Sequence, residues 1–500
     1  MLLRPLIEDH KVIGKYTAKI LVGVGLLMAI PLVTALLLRE WDSALDFVIG
    51  MGACLIPGFA LQVLCRTKKE PSWSHGLVIA SGSWILATLL GAIPHWLSGH
   101  EGSYLDAMFD VMSGYTTTGL YLIQDLDHIS SALNMWRHLL TWAGGQGIIV
   151  VALTFLFNGA AGAYTLYVGE GKDERLLPNV VHTARAIWLV SFVWLAVGAT
   201  ALAGAGLYLG QEPLRAVLHG IWVFMGGWST GGFAPQSYNT IYYHSLLYES
   251  LTVVVFIVGS FNFALHWAVW TGERREIRRN IEIVSFTVTL MLTTLLATYA
   301  LAKAGVYSDA VVLFRKTFYQ LASGHTTTGF STIYSRSFVR QWGEVGMVAT
   351  TIAMAIGASA CSTAGGIKGM RIGIITKAMI REVRRVMMPP SAVVNERYHH
   401  IRTTILEDGV VRFALLITVA YITMYALMTI LGLMHGYPLS EALFEGVSAA
   451  SNTGLSCGVT GPAMPWDMKV AYILAMWLGR LEFMSVFAVA GHLIAVVRGR

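Results

Sequence analysis

Thr116-Thr117-Thr118-Gly119-Leu120 closes a short apolar segment, and the arrangement returns at Ser229-Thr230-Gly231-Gly232-Phe233, Thr326-Thr327-Thr328-Gly329-Phe330 and Asn452-Thr453-Gly454-Leu455. Thr-Gly alone is a weak signal, since Thr271-Gly272 and Thr460-Gly461 also occur and fit no pattern. The surroundings separate the four from the two. Asp106-Ala-Met-Phe-Asp110 and Glu441-Ala-Leu-Phe-Glu445 each begin 13 residues ahead of the loop glycine, and small pairs (Ser113-Gly114, Ser323-Gly324, Ser448-Ala449) precede three of the loops. The second and third copies lack the acidic string, carrying Leu218 to Trp222 and Lys316 to Gln320 there, so the repeat has diverged. What survives is an apolar segment of roughly 12 to 16 residues, too short to cross a hydrocarbon core of about 30 Å. Such a segment fits a re-entrant half-helix that stops partway through the membrane.

Working outward, the 500-residue chain is 55% hydrophobic and 13% charged, against about 25% charged residues in a soluble domain. Apolar runs of about 20 residues recur along its length, about ten in all. The first, near Lys19 to Leu38, follows a basic start but exceeds a signal-peptide core and is read as retained. Basic clusters at Arg66 to Lys69, Lys172 to Arg185, Arg274 to Arg279, Lys377 to Arg412 and Arg498 to Arg500 alternate with basic-poor connections. The positive-inside tendency assigns the clusters and both termini to the cytoplasm. The net charge of +6 then reflects topology, and no basic domain of a size to bind nucleic acid is present. The four cysteines show no CxxC or zinc spacing. The histidines form no HExxH, and neither GxxxxGK[ST] nor GxSxG occurs, so no enzyme chemistry is indicated.

The expected fold is an all-α polytopic membrane protein. Residues 1–70 form a two-span hairpin, followed by four units at 71–183, 184–281, 282–405 and 406–500, each ordered span, half-helix, loop, span. An even number of full spans keeps the units parallel. Glycine adopts positive φ at little cost, which lets consecutive carbonyls turn toward one axis beside Thr and Ser hydroxyls. Rings of such oxygens replace the hydration shell of a dehydrated cation. The candidate filter residues are Thr117, Thr118, Gly119, Ser229, Thr230, Gly231, Thr327, Thr328, Gly329, Asn452, Thr453 and Gly454. No carboxylate lies in any loop, which favours K⁺ over Mg²⁺ or Ca²⁺. The plain alternative is four ordinary helix C-caps.

The second span of the third unit, Gln341 to Lys377, is too long for a single crossing. Its interior, Gly357-Ala358-Ser359-Ala360-Cys361-Ser362-Thr363-Ala364-Gly365-Gly366, contains small residues only, and Lys368 closes it. A broken helix with a loop in the pore is one reading; a close-packed small-residue helix interface is the other. Arg480 sits in the middle of the last span, where an ionised side chain faces a partner or water. It either projects into the pore as a barrier to cations or serves a structural ion pair. Glu482, two residues on, falls on another helix face and is a poor partner for it.

The four loops, the Gly357 to Lys368 segment and Trp477-Leu-Gly-Arg480-Leu-Glu482 together resemble the Trk/Ktr/HKT superfamily of K⁺ uptake proteins, and within it the bacterial TrkH type. The resemblance spans essentially the whole chain. It implies a pseudo-fourfold pore within one subunit, K⁺ held by carbonyls around the filter glycines, a gate formed by the intramembrane loop, and a homodimer in the inner membrane. It also implies a cytoplasmic nucleotide-binding RCK-type (TrkA-like) partner docking on basic loops such as Lys377 to Arg412, which topology alone explains as well. No cofactor is expected in the chain. Glycine rather than serine at position 119 favours K⁺ over Na⁺ by the same resemblance. The competing mechanism is K⁺ symport with Na⁺ or H⁺, for which Asp110 and Glu445 are the candidate titratable groups.

Overall fold

A computed structural model describes residues 5–147, 150, 180–389, 392 and 394–499. The end of the first unit and the start of the Lys172 to Arg185 basic cluster lie outside the described residues. The N-terminal hairpin consists of α1 (Ile7–Leu27) running into α2 (Ala29–Leu38), and α3 (Trp41–Leu64). Its cytoplasm-assigned end is tied by Lys15 Nζ donating to the Thr67 carbonyl at 2.7 Å.

The first unit contributes α4 (Trp73–Leu97), the half-helix α5 (Tyr104–Tyr115) and α6 (Ser131–Gln146). The second contributes α7 (Val180–Tyr208), half-helix α8 (Pro213–Trp228), α9 (Leu246–Gly259) and α10 (Phe263–Trp270). The third has α11 (Ile281–Lys303), half-helix α12 (Ala310–His325), α13 (Gly343–Ile356) and α14 (Gly369–Met387). The fourth has α15 (Asp408–Met434), half-helix α16 (Leu439–Ala450), α17 (Trp466–Arg480) and α18 (Met484–Arg498). The one departure from an all-helical chain among the described residues is a small hairpin, Arg397–His400 paired with Arg402–Ile405, inside the basic segment that precedes the fourth unit. Side-chain caps set where several helices start: Ser103 Oγ accepts from Asp106 N, and Asp309 Oδ1 from Val311 N.

Among the described residues six helices are long and apolar enough to cross a membrane. The second spans of the second, third and fourth units are each broken into two shorter helices. The third-unit span breaks where its small residues indicated, between α13 and α14. Two further breaks were not anticipated: α9 meets α10 at 97°, and α17 meets α18 at 113°. Single residues cause them inside otherwise apolar runs. Asn262 caps α10 by accepting from Ala264 N at 2.8 Å, and Glu482 and Phe483 take left-handed φ of 52° and 68°.

The packing closes on itself. Each half-helix lies against the second span of the preceding unit: α8 on α6, α12 on α9, α16 on α13, and α5 on α17. The last contact joins the fourth unit to the first, so four units in line become a ring. Polar contacts fasten the seams. Arg315 makes a two-pronged bond to Glu249 at 2.6 and 2.9 Å between the second and third units. Lys469 reaches Asp106 at 2.6 Å between the fourth and first.

Candidate ion-conduction site

Each half-helix delivers its loop in the same conformation. After the last helical turn, Thr117, Thr230, Thr327 and Asn452 adopt left-handed φ of 56°, 49°, 53° and 55°. The next residues, Thr118, Gly231, Thr328 and Thr453, return their N–H to the carbonyls of Ser113, Gly226, Ser323 and Ser448 at 2.8 to 2.9 Å. Gly119, Gly232, Gly329 and Gly454 follow with φ of 90°, 61°, 85° and 84°. Backbone equivalence thus shifts the second loop by one residue from the Thr-Gly spacing: the counterpart of Gly119 is Gly232, and Gly231 stands where the other loops carry threonine. Two adjacent glycines hid the register in the sequence.

The four glycines meet around one centre. A Cβ on Gly119 would lie 2.5 Å from the Gly231 carbonyl oxygen, one on Gly232 2.0 Å from that of Thr328, one on Gly329 2.3 Å from that of Thr453, and one on Gly454 2.0 Å from that of Thr118. The contacts run first to second, second to third, third to fourth and fourth to first. They also explain why glycine is required, since positive φ and a neighbouring backbone oxygen both exclude a side chain. The loops do cap their half-helices, but isolated caps have no reason to converge. Threonine hydroxyls brace the ring, with Thr116 to Thr118 and Thr326 to Thr328 at 2.8 Å and Ser451 to Thr453 at 2.7 Å. Gly119, Gly329 and Gly454 border an open cavity of about 550 Å³ formed by the segments that follow the loops. Each half-helix ends at the ring, so the negative ends of four helix dipoles surround it.

On the other face of the ring lies the segment between α13 and α14. It touches the same structural position in all four loops. The Thr230 hydroxyl donates to Thr363 Oγ1 at 3.1 Å, the Thr117 hydroxyl to the Thr363 carbonyl at 3.3 Å, and Gly365 N to Thr327 Oγ1 at 2.8 Å. A Cβ on Gly365 would sit 2.1 Å from the Ser451 carbonyl and 3.0 Å from Asn452 Cβ. Gly357, Cys361, Gly366 and Lys368 have positive φ, which turns the chain out of helix and back. Gly369 N donates to the Ala358 carbonyl at 2.7 Å, and the Ser362 hydroxyl to the Ser359 carbonyl at 2.7 Å. Ala364 N donates to Ser362 Oγ at 3.1 Å. Glu282 on α11 accepts from the Ser359 hydroxyl and, at 2.6 Å, from Ala360 N. The tight helix interface offered as an alternative for these residues is not what they form.

Arg480, at the end of α17, donates to the Thr363 carbonyl at 2.6 Å and to the Gly144 and Gly145 carbonyls at 2.7 and 3.1 Å. It bridges the loop tip to the first unit. Glu482 turns elsewhere, as the two-residue offset indicated: it holds Lys368 Nζ at 2.6 Å and Arg371. Lys368 is 8% exposed in its side chain and pinned by that carboxylate. Asp110 and Glu445 stand off the ring. Asp110 Oδ1 accepts from Leu122 N at 2.7 Å, and Glu445 accepts from Cys457 N and Thr460 N, each at 2.9 Å. Both acids thereby brace the chain 12 residues on. Sequence reading missed three second-span glycines: a Cβ on Gly144, Gly259 or Gly479 would fall within 2.2 Å of the last carbonyl of a half-helix, at Tyr115, Trp228 and Ala450. A glycine within each of these apolar second spans was the available signal.

A family model described as a cation transport protein, TrkH, matches residues 44–308 and 280–493. The chain belongs to the TrkH family. Among its relatives, an uncharacterized cation transporter of Methanocaldococcus jannaschii is 29% identical over 464 residues, covering 93% of this chain and 91% of the relative. The Trk system potassium uptake protein TrkH of Escherichia coli K12 is 27% identical over 475 residues, covering 92% and 94%. The crystal structure of the potassium transporter TrkH from Vibrio parahaemolyticus superposes with a TM-score of 0.78 at 25% identity, covering 96% of this chain and 98% of that one. The chain is a multi-pass membrane protein of a transporter family, with the TrkH fold.

Proposed function

We propose that this chain takes up K⁺ by channel-like permeation through the four-loop ring, and that the Gly357 to Gly366 segment is its gate. The observation that carries the reading is the closed cycle of glycine-to-carbonyl contacts around one axis, with no carboxylate in any loop. Carbonyl dipoles replace the water of a weakly hydrated monovalent cation more readily than that of a small dication. K⁺ is the ion named for the Escherichia coli and Vibrio relatives. With the gate loop against all four filter loops, and Arg480 placing positive charge beside Thr363, the path on that side is closed to a cation. Release requires the loop to leave the ring and Arg480 to let go of its carbonyls.

Permeation without coupling is favoured over symport with Na⁺ or H⁺, because Asp110 and Glu445 stand off the axis, each with a carboxylate oxygen on a backbone amide of the segment that follows its loop. Basic segments set both termini and the gate side in the cytoplasm of an inner-membrane protein. The same face, rich in Lys and Arg from Lys377 to Arg412, is where an RCK-type nucleotide-binding subunit would dock, and the subunit works as a homodimer. The test is Rb⁺ flux into liposomes with K⁺ and Na⁺ competition. Strong competition by K⁺, weak competition by Na⁺ and independence of pH support the reading. A Gly119→Ser variant, whose Cβ would lie 2.5 Å from the Gly231 carbonyl, is expected to carry less flux with a larger Na⁺ share; equal competition by both ions in the wild type would overturn K⁺ selectivity, and a flux driven by Na⁺ or proton gradients would overturn uncoupled permeation.

A further inference from the structure

Behind the first loop, away from the axis, three ionisable side chains converge. One ring nitrogen of His95 (α4), one carboxylate oxygen of Glu101 (the α4–α5 connection) and one of Asp110 (α5) all lie within 4.8 Å of one another. His95 Nδ1 is 2.7 Å from Glu101 Oε1, and the side chains of both are fully buried, as is Asp110. Among the described residues His95 Nε2, Glu101 Oε2 and Asp110 Oδ2 have no hydrogen-bond partner at normal distance, although the Ile123 amide also acts on the Asp110 carboxylate. Burying such groups with lone pairs and protons unmatched is costly, so a cluster of three calls for a ligand. The cation of Arg137 acts on Asp110 from nearby; it is stacked at 4.4 Å on Phe233 and donates through Nη1 to the Ala234 carbonyl and Asn134 at 3.3 Å, while among the described residues its Nε and Nη2 have no partner. With His95 neutral, as an imidazole must be to ligate a metal, one guanidinium leaves the two buried carboxylates one positive charge short.

We propose that His95, Glu101 and Asp110 bind a divalent transition-metal ion. An imidazole nitrogen with two carboxylate oxygens suits Zn²⁺, Mn²⁺ or Co²⁺ better than Mg²⁺ or Ca²⁺, which prefer oxygen alone. A cavity of about 200 Å³ lined by Glu101, Asp106, Leu122 and Asp125 provides the approach. The site is coupled to the filter by a single residue: the other oxygen of Asp110 holds Leu122 N, three residues beyond Gly119. Metal occupancy therefore acts on the backbone that leaves the first loop, and it regulates flux through the pore. That regulatory part rests on the conduction reading above; the binding site does not.

The test strips the purified full-length protein with EDTA and titrates it with Zn²⁺ and with Co²⁺, counting bound metal per chain and recording the Co²⁺ absorption spectrum. About one ion per chain is expected, with affinity weakened at least about tenfold in His95→Gln and in Glu101→Gln. His128→Gln, which alters the exposed His128–Asp125 pair near the same cavity, is expected to bind as the wild type does. Anomalous diffraction from Zn²⁺-soaked wild-type crystals reads the site with no substitution at all, and a peak between the three side chains is expected. Absence of saturable binding, binding untouched by both substitutions, loss in His128→Gln alone, or a peak elsewhere would each overturn the site and leave only a shared proton among these groups. Rb⁺ flux that ignores Zn²⁺ while the metal is bound would overturn the regulatory part and leave the site standing.

Discussion

Two stretches of irregular backbone meet at the centre of this molecule, and one of them carries charged side-chain ties that the other lacks. The ring of four loops is built in quadruplicate and supports itself: each loop closes by a backbone bond to its own half-helix, and each glycine rests on the next loop's carbonyl. The segment beneath it exists once: backbone bonds such as Lys368 N to the Ile356 carbonyl close it on its own helices, and its ties to the rest of the molecule include long charged side chains, Arg480, Glu282 and the Glu482 pair with Lys368 and Arg371. A structure fixed by close backbone contacts is hard to move without being destroyed. One fixed by a few charge-assisted bonds can be released by breaking them, which is the division of labour expected between a filter and a gate.

The comparison breaks most sharply at the glycines. Gly454→Ala or Gly232→Ala places a methyl group onto a carbonyl oxygen 2.0 Å away, and flux is expected to fall by at least about a hundredfold in correctly inserted protein, measured as Rb⁺ uptake into liposomes. Deleting Ala358 to Gly365 is expected to act in the other direction and raise flux by roughly tenfold, since the obstruction is then gone while the ring is untouched. Arg480→Gln removes the charge and shortens the side chain, so the bonds to the Thr363 and Gly144 carbonyls that hold the loop tip go with it. An increase of a few fold is expected, growing as ionic strength falls; a decrease would contradict an electrostatic barrier. Glu482→Gln strands Lys368 and Arg371 and is expected to destabilise the fold by about 3 kcal/mol, read as a lower melting temperature. The finest test sets Gly231→Ala against Gly232→Ala. Gly231 lacks positive φ, and its Cβ would stand 2.8 Å from Thr141 Cβ, a milder clash than 2.0 Å from a backbone oxygen, so the smaller loss is expected at Gly231.

That last pair marks where the sequence could and could not be read. Membrane class, half-helices and the four loops were legible because apolar length and Thr-Gly punctuation are local properties. The break at Gly357 to Gly366 was legible because ten small residues in a row stand out. The register at Gly231-Gly232 was not, because either glycine satisfies the pattern and only the ring distinguishes them. The bends at Asn262 and at Glu482-Phe483 were hidden for a related reason: one polar or left-handed residue interrupts a helix without interrupting its hydrophobicity. Asp110 and Glu445 were visible as a motif, but their task, bracing Leu122 and Cys457, depends on where the chain returns after the loop. Arg480 was recognised as anomalous, whereas its carbonyl partners lie in two other units, the third and the first, more than a hundred residues away in sequence.

Crystals soaked in Rb⁺ or Tl⁺ test the central claim most directly, through the anomalous signal of the ion itself. A peak on the axis enclosed by the carbonyls of Thr118, Gly231, Thr328 and Thr453, and lost in Gly232→Ala, is the predicted result. Ions found only in the outer cavity or at side-chain carboxylates, with nothing on that axis, would contradict it.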